Sequence, residues 1–360
     1  MTPRQSIVFN ICTLYNNPHI HPARCTITEL ISPDIKAWLL DPNDPGPRYL
    51  ALRDLFQASP GELRPARQAA HENGPISEIL EHQHPDGYWV KPGAGYSPKY
   101  HGTVWSLIAL AQCGASVEED PRIRQACSYL LDHALAPAGQ LCTNGAPSNN
   151  IDCLQGNLCA SLVEMGVDEE RLDRAYEWMA RSVTGEGIAP NTEKGAPVRY
   201  YAYNCGPLFR CGPNNKLPCA WGGAKVLIAF SKLPAGKRTP LIDDAIRATV
   251  EFFFSVDPAT AEYSCGYADK PSRNWWKFGF PVFYVADILQ IAEGLVRLGY
   301  GHDPRLAGTI SYIRNKADKK GTWNNEYNYS SKTWVDWGRG GQPNKWVTIR
   351  ALRVLAALSG

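Results

Sequence analysis

The sequence has almost no net charge: across 360 residues, 37 Lys and Arg face 35 Asp and Glu, leaving +2. That balance excludes the basic footprint of a nucleic-acid-binding protein, and no block of like charge marks an interaction tail. No stretch approaches the ~18 consecutive apolar residues that suggest a membrane span. The first residues, MTPRQSIVFNICTLYNNPH, hold one Arg and a short apolar run at 6–14 without a small-residue cleavage site, which argues against a signal peptide. A cytoplasmic protein with reduced thiols is therefore expected. The patterns G-x-x-x-x-G-K-[ST], G-x-G-x-x-G after a strand, H-E-x-x-H and G-x-S-x-G are also missing. Their absence disfavours nucleotide-binding, zinc-protease and α/β-hydrolase readings.

Hydrophobic residues make up 44% of the chain, enough for a large core. Many of the 11 Trp and 17 Tyr lie in Gly- and Pro-rich segments, where they either plug loops onto helices or line a cavity. Eleven Cys are too few for a disulfide scaffold of this length, and the odd number leaves at least one thiol unpaired within the chain.

Two kinds of helical segment alternate. In one, an acidic residue precedes an Arg, and an aromatic follows that Arg seven residues later: Asp120-Pro121-Arg122 to Tyr129, Asp168 through Arg171 to Trp178, and Asp303-Pro304-Arg305 to Tyr312. Asp120 and Asp303 read as N-caps with Pro at the first helical position. The other kind is apolar nearly all round, at 102–111, 156–163, 223–230, 282–298 and 346–358, and so is expected to be buried on most sides. Starts about 50 to 65 residues apart suit a helix pair plus a loop. A further unit at 35–57 is interrupted by Pro42, Pro45 and Pro47. Amphipathic helices outside and apolar helices inside predict an all-α, double-layered barrel of about five to six helix pairs, spanning 35–360 after an extension at 1–34. An open solenoid is the alternative, but the loops 186–217 and 263–280 are too long for one.

Gln83-His84-Pro85-Asp86-Gly87-Tyr88-Trp89 resembles the Q-x-x-D-G-x-W element of squalene and oxidosqualene cyclases, and Lys320-Gly321-Thr322-Trp323 is a degenerate second copy. The resemblance extends to protein prenyltransferase β-subunits and implies an α/α toroid with its chemistry in a central cavity. It also implies zinc held by Asp, Cys and His near the starts of inner helices. Here the segment 215–223 resembles the Cys-bearing region, with Pro218 and Leu217 where an Asp would be wanted; Asp152-Cys153 supplies Asp and Cys one repeat earlier, and His101 is the His candidate. The D-x-D-D acid of class II terpene cyclases is absent, and Asp243-Asp244 falls on an outer helix, so that mechanism does not carry over.

Two thiol-rich stretches, at Cys142, Asp152, Cys153 and Cys159 and at Cys205, Cys211 and Cys219, flank loop-to-inner-helix junctions. Cys113, Cys127 and Cys159 read as buried apolar residues. Cys142, Cys153, Cys205, Cys211 and Cys219 are candidate ligands for zinc, or alternatively for an iron–sulfur cluster, although no C-x-x-C pair exists. Asp336, surrounded by Trp334 and Trp337, is a candidate acid or else a turn cap; Asp152 and His101 are the other candidate catalytic groups. Tyr203, Trp221, Lys225, Trp275, Trp276 and Trp334 are expected to line the cavity, and His82, His84, His21 and His133 to be structural or superficial. The leading expectation is an enzyme acting on an isoprenoid or similarly apolar small molecule. The alternatives are a non-catalytic toroid with structural zinc that binds a peptide or lipid, and a metal-free lyase or isomerase using a Cys thiol and Asp. Oligomeric state is left open.

Overall fold

A computed structural model describes residues 31–200, 205–266, 268, 270–329 and 331–358. The described chain is mostly helical. Thirteen α-helices are α1 (Pro33–Leu39), α2 (Pro45–Asp54), α3 (Pro60–Glu72), α4 (Pro75–Glu81), α5 (Thr103–Gln112), α6 (Pro121–Ala134), α7 (Asp152–Glu164), α8 (Glu170–Thr184), α9 (Ala220–Lys232), α10 (Pro240–Phe253), α11 (Ile288–Arg297), α12 (Ala307–Asn315) and α13 (Lys345–Ala356). Among the described residues, strands are confined to the parallel pair β1 (Ala189–Pro190) and β2 (Arg199–Tyr200) and the antiparallel pair β3 (Arg210–Cys211) and β4 (Leu217–Pro218).

Helix starts follow local chemistry. Asp120 caps α6 by accepting from Arg122 N–H, and Pro occupies the first turn of α1, α2, α3, α4, α6 and α10, where no N–H is needed. Asp303 caps a short 3-10 turn that runs into α12. Two expected boundaries move. Asp168 lies outside α8 and pairs instead with Lys237. Residues 282–287 precede α11, whose cap is Asp287, accepting from Gln290 N–H.

The apolar helices pack on one another: α5 on α7, α7 on α9, α9 on α11, α11 on α13, and α13 on α2. Just past α5, Gly114 lies against Tyr49 and Leu50 of α2. Nine consecutive residues of α5, Thr103–Ala111, are buried. Gly156 of α7 sits so close to α9 that a Cβ there would lie 2.4 Å from the Lys225 carbonyl carbon, which is why no larger residue fits. The amphipathic helices lie on this layer: α6 on α5, α8 on α7, α10 on α9 and α12 on α11.

The two aromatic turns are built alike. Trp89 N–H donates to Thr103 Oγ1 at 3.1 Å and its indole to Ile79 O at 2.8 Å; Trp323 repeats this with Thr348 Oγ1 at 3.0 Å and Ile313 O at 2.8 Å. Each turn therefore ties the helix before it to the apolar helix after it. A third copy, unmarked in the sequence, is the bridge between Leu135 and Leu141, with Leu141 in the Trp position and Gln155 accepting its N–H.

The apolar helices are bound together near their C-terminal ends by ions. Arg53 pairs with Asp54 and Glu164, Lys232 with Glu164, and Arg353 with Asp54. Opposite lie their N-termini, where the candidate residues cluster.

Candidate functional site

The β3–β4 hairpin precedes α9. Arg210 pairs with Pro218 and Cys211 with Leu217, while Cys219 N–H donates to Phe209 O at 3.0 Å. Cys211 and Cys219 are thus diagonal neighbours on one face of a two-stranded ribbon. Asn214, 2% exposed, fixes the hairpin by donating to Pro218 O and Ser264 O and accepting from Gly266 N–H.

Cys219 is the N-cap residue of α9. The Cys211 thiol donates to its sulfur and draws its pKa below the usual thiol range; burial opposes this, and the Gly222 and Trp221 amides add to it. The same contact, with burial, pushes Cys211 far up, so one proton is held between two sulfurs, nearer Cys211. A thiolate on free amides at a helix start is the environment that makes a cysteine reactive.

Asp152, the first residue of α7, lies beside this thiol. It is 4% exposed and accepts from Ser182 Oγ at 2.9 Å through Oδ1, while Oδ2 has no hydrogen-bond partner. Burial, with the nearby Cys219, raises its pKa to about 8, against the pull of Ser182 and the Gly206 amide, which favours the protonated carboxyl at pH 7. Cys153 also neighbours Cys219; burial lifts its thiol to about 12. Tyr96 and Tyr284, whose hydroxyls hydrogen-bond to each other, lie within electrostatic reach of Cys153. Lys225 of α9 donates to Val285 O at 2.9 Å and to Gln290 Oε1, and burial lowers its pKa to about 7. Beyond it, Arg350 pairs with Glu293 at 2.7 Å and with Asp287 at 3.6 Å.

Cys219 and Trp221 line a small pocket of about 40 Å³ with Tyr263, Cys265 and Trp275. Trp275 and Trp276 donate their indole N–H groups to Pro258 O and Ala259 O, which pins the 258–261 loop. Cys142 is elsewhere: it donates to Gln140 O in the third turn copy and takes no part in this group. Cys205 is buried, and Tyr203 lies outside the described residues. Among the described residues, no three His, Cys, Asp or Glu side chains are grouped to hold a metal ion.

A second cluster surrounds Trp334. His82 stacks on the indole at 4.2 Å and 18°, and His101 meets it edge-on at 4.5 Å. The indole N–H donates to Ser106 Oγ, whose own proton goes to the His101 carbonyl. Asp336 accepts from Gly338 N–H, so it does cap a turn. Asp336, Trp334, Glu78, Thr333 and Arg339 line an open pocket of about 550 Å³. Burial and His82 hold His101 below its ordinary pKa, while burial, Glu81 and Asp336 hold Glu78 above its own.

Residue types alone pointed to Asp152, Cys153, Cys211 and Cys219, and separately to His101, Trp334 and Asp336. They missed Tyr96, Tyr284, Glu78 and the stacked role of His82. Tyr96 and Tyr284 are 188 residues apart, and no local pattern joins them.

No protein-family model matches the chain, and no curated protein matches it in sequence. Among solved structures, a protein from Actinoplanes is similar at 12% identity, covering 89% of this chain and 88% of that one, with a TM-score of 0.39. The type II terpene cyclase MstE from Scytonema, in complex with its product merosterolic acid A, is similar at 12% identity, covering 79% of this chain and 93% of that one, with a TM-score of 0.30. Likenesses this low assign neither a family nor an activity to this chain.

Proposed function

We propose that the chain is an α/α-toroid enzyme of the terpenoid cyclase and prenyltransferase type, working as a metal-free lyase or isomerase on a largely apolar small molecule in the cytoplasm. The return of the apolar-helix contacts from α13 to α2 supports the toroid. The feature that carries the chemistry is the meeting, at the neighbouring starts of α9 and α7, of the Cys219 sulfur and the buried Asp152 carboxyl, the first held toward its ionised form and the second toward its neutral form. Two groups whose environments push their pKa values apart divide the roles of base and acid. Cys219 takes a proton from the substrate or attacks it, and Asp152 returns a proton to the developing negative centre. Cys211 holds the sulfur ionised, and Trp221, Tyr263 and Trp275 supply an apolar wall. The wider pocket by Trp334, which shares no lining residue with the Cys219 pocket, is a second candidate substrate site, with His101 and Asp336 as its proton carriers.

The test is the pH dependence of iodoacetamide labelling at Cys219, read by peptide mapping. Labelling is expected to set in well below the ~8.5 midpoint of a free thiol and to rise toward it in Cys211→Ser. An ordinary thiol profile, or one equivalent of zinc that is lost in Cys211→Ala/Cys219→Ala, would overturn the metal-free reading. A Cys219→Ser chain should lose all turnover of any prenyl-type substrate the intact chain accepts.

A further inference from the structure

We propose that Cys211 and Cys219 form a peroxide-responsive thiol pair that closes reversibly into a disulfide. This rests on the functional reading above only in that closure would then silence the working sulfur.

The pairing is written into the hairpin. Its register sets the two residues diagonally on one face, within side-chain reach of each other. Asn215 and Lys216 turn the chain in the left-handed region, at φ 53° and 60°, and Lys216 N–H donates back to Cys211 O at 2.8 Å. Diagonal partners stand ~7–8 Å apart, just beyond the ~4.4–6.8 Å Cα span of a disulfide, so closure draws the two short strands together while Asn214, tied to Pro218 and Ser264, holds the turn in register. Access is the second requirement. Cys211 and Cys219 are partly exposed, and Cys219 lines a pocket of a size that admits a peroxide. Cys113, Cys127, Cys142 and Cys159 are buried instead.

The chemistry balances with hydrogen peroxide as the oxidant. The Cys219 thiolate attacks one peroxide oxygen, the O–O bond breaks, and the leaving hydroxide takes a proton to become water, so that Cys219 becomes a sulfenic acid. The Cys211 sulfur then attacks that sulfur, forms the S–S bond and expels a second water, its own proton leaving with the oxygen. A dithiol reductant returns both thiols and is itself oxidised to a disulfide.

Reduced full-length protein is treated with a few equivalents of hydrogen peroxide, blocked with an alkylating agent and mapped by mass spectrometry. The expected result is a peptide linking Cys211 to Cys219, lost on treatment with dithiothreitol. In Cys211→Ser the link is expected to vanish and dimedone to capture a sulfenic acid on Cys219. Linkage of Cys219 to Cys153 or Cys265, or its direct overoxidation without linkage, would overturn the proposal. So would unreacted thiols at both positions. The mapping needs no substrate: a chain that links normally but keeps turnover in Cys219→Ser would sink the functional reading alone. Turnover that depends on Cys219 without linkage would sink this proposal alone.

Discussion

At the scale of single residues, Asp152 makes the sharpest claim. An unfolded Asp titrates near ~3.9, whereas burial holds the folded carboxyl at about 8. Between those values the folded chain keeps a proton that the unfolded chain has lost. The bound proton favours folding fully below pH ~4, and that contribution is lost as pH rises to about 8. Stability should therefore fall across this window, by at most ~1.4 kcal/mol per pH unit. Asp152→Asn keeps an acceptor for Ser182 and removes the titration. The gap in urea midpoint between wild type and variant should narrow or invert from pH 5 to pH 8. A gap that ignores pH would show that Asp152 is ionised throughout. The site was legible at this scale where one residue type had a local reason to be odd: a thiol at a helix start, or a Lys in an apolar helix. Asp336 and His101 were legible singly, but their meeting at Trp334 was not. It depends on a loop folding back 228 residues onto Ser106.

At the scale of elements, the three turns explain how helix pairs are spaced. The left-handed glycine of each, Gly87, Gly139 and Gly321, has φ of 95°, 99° and 81°. At Gly139 a Cβ would also lie 2.2 Å from Arg174 O. Gly139→Ala is therefore expected to cost at least ~1–3 kcal/mol in denaturant unfolding, by strain and by moving the α6–α7 turn off α8. Gly236→Ala, where a Cβ would meet nothing within 4 Å, should be within ~0.5 kcal/mol of wild type. The aromatic pattern exposed two of these turns in the sequence. The third was hidden because Leu141 fills the Trp place and Gln155, rather than a Thr, receives the turn's N–H. The apolar helices were legible because burial on all sides leaves no polar face. The start of α11 was misjudged for the same reason: residues 282–286 are as apolar as a helix, but they form bends and irregular chain until Asp287 caps the first turn.

At the scale of the whole molecule, the ion cluster joins α2, α7, α9 and α13. Burial pushes Glu164 up, but Lys232, Arg53 and Arg297 pull it well below the usual carboxylate range. A carboxylate so depressed contributes stability that is present above pH ~4 and is lost as pH falls. Glu164→Gln leaves the part-buried Lys232 without its carboxylate and Arg53 with Asp54 alone, and is expected to cost about 1–3 kcal/mol at pH 7. The penalty should shrink as the pH approaches 3, as read from urea midpoints; a penalty independent of pH would mean Glu164 acts by packing alone. No reading of residues one repeat at a time could have found this cluster, since Arg53 and Glu164 are 111 positions apart.

The contact between α13 and α2 is sealed by Lys345 reaching Asp44 and by Trp346 lying on Gly46. In an open stack each terminal unit shows one bare flank to water and peels first. Here α2 and α13, near the two ends of the described residues, cover part of each other's flank. In the closed ring proposed above, a backbone nick in one connecting loop would leave two fragments clasped along two seams instead of one, so the protein should behave as a self-complementing pair of halves.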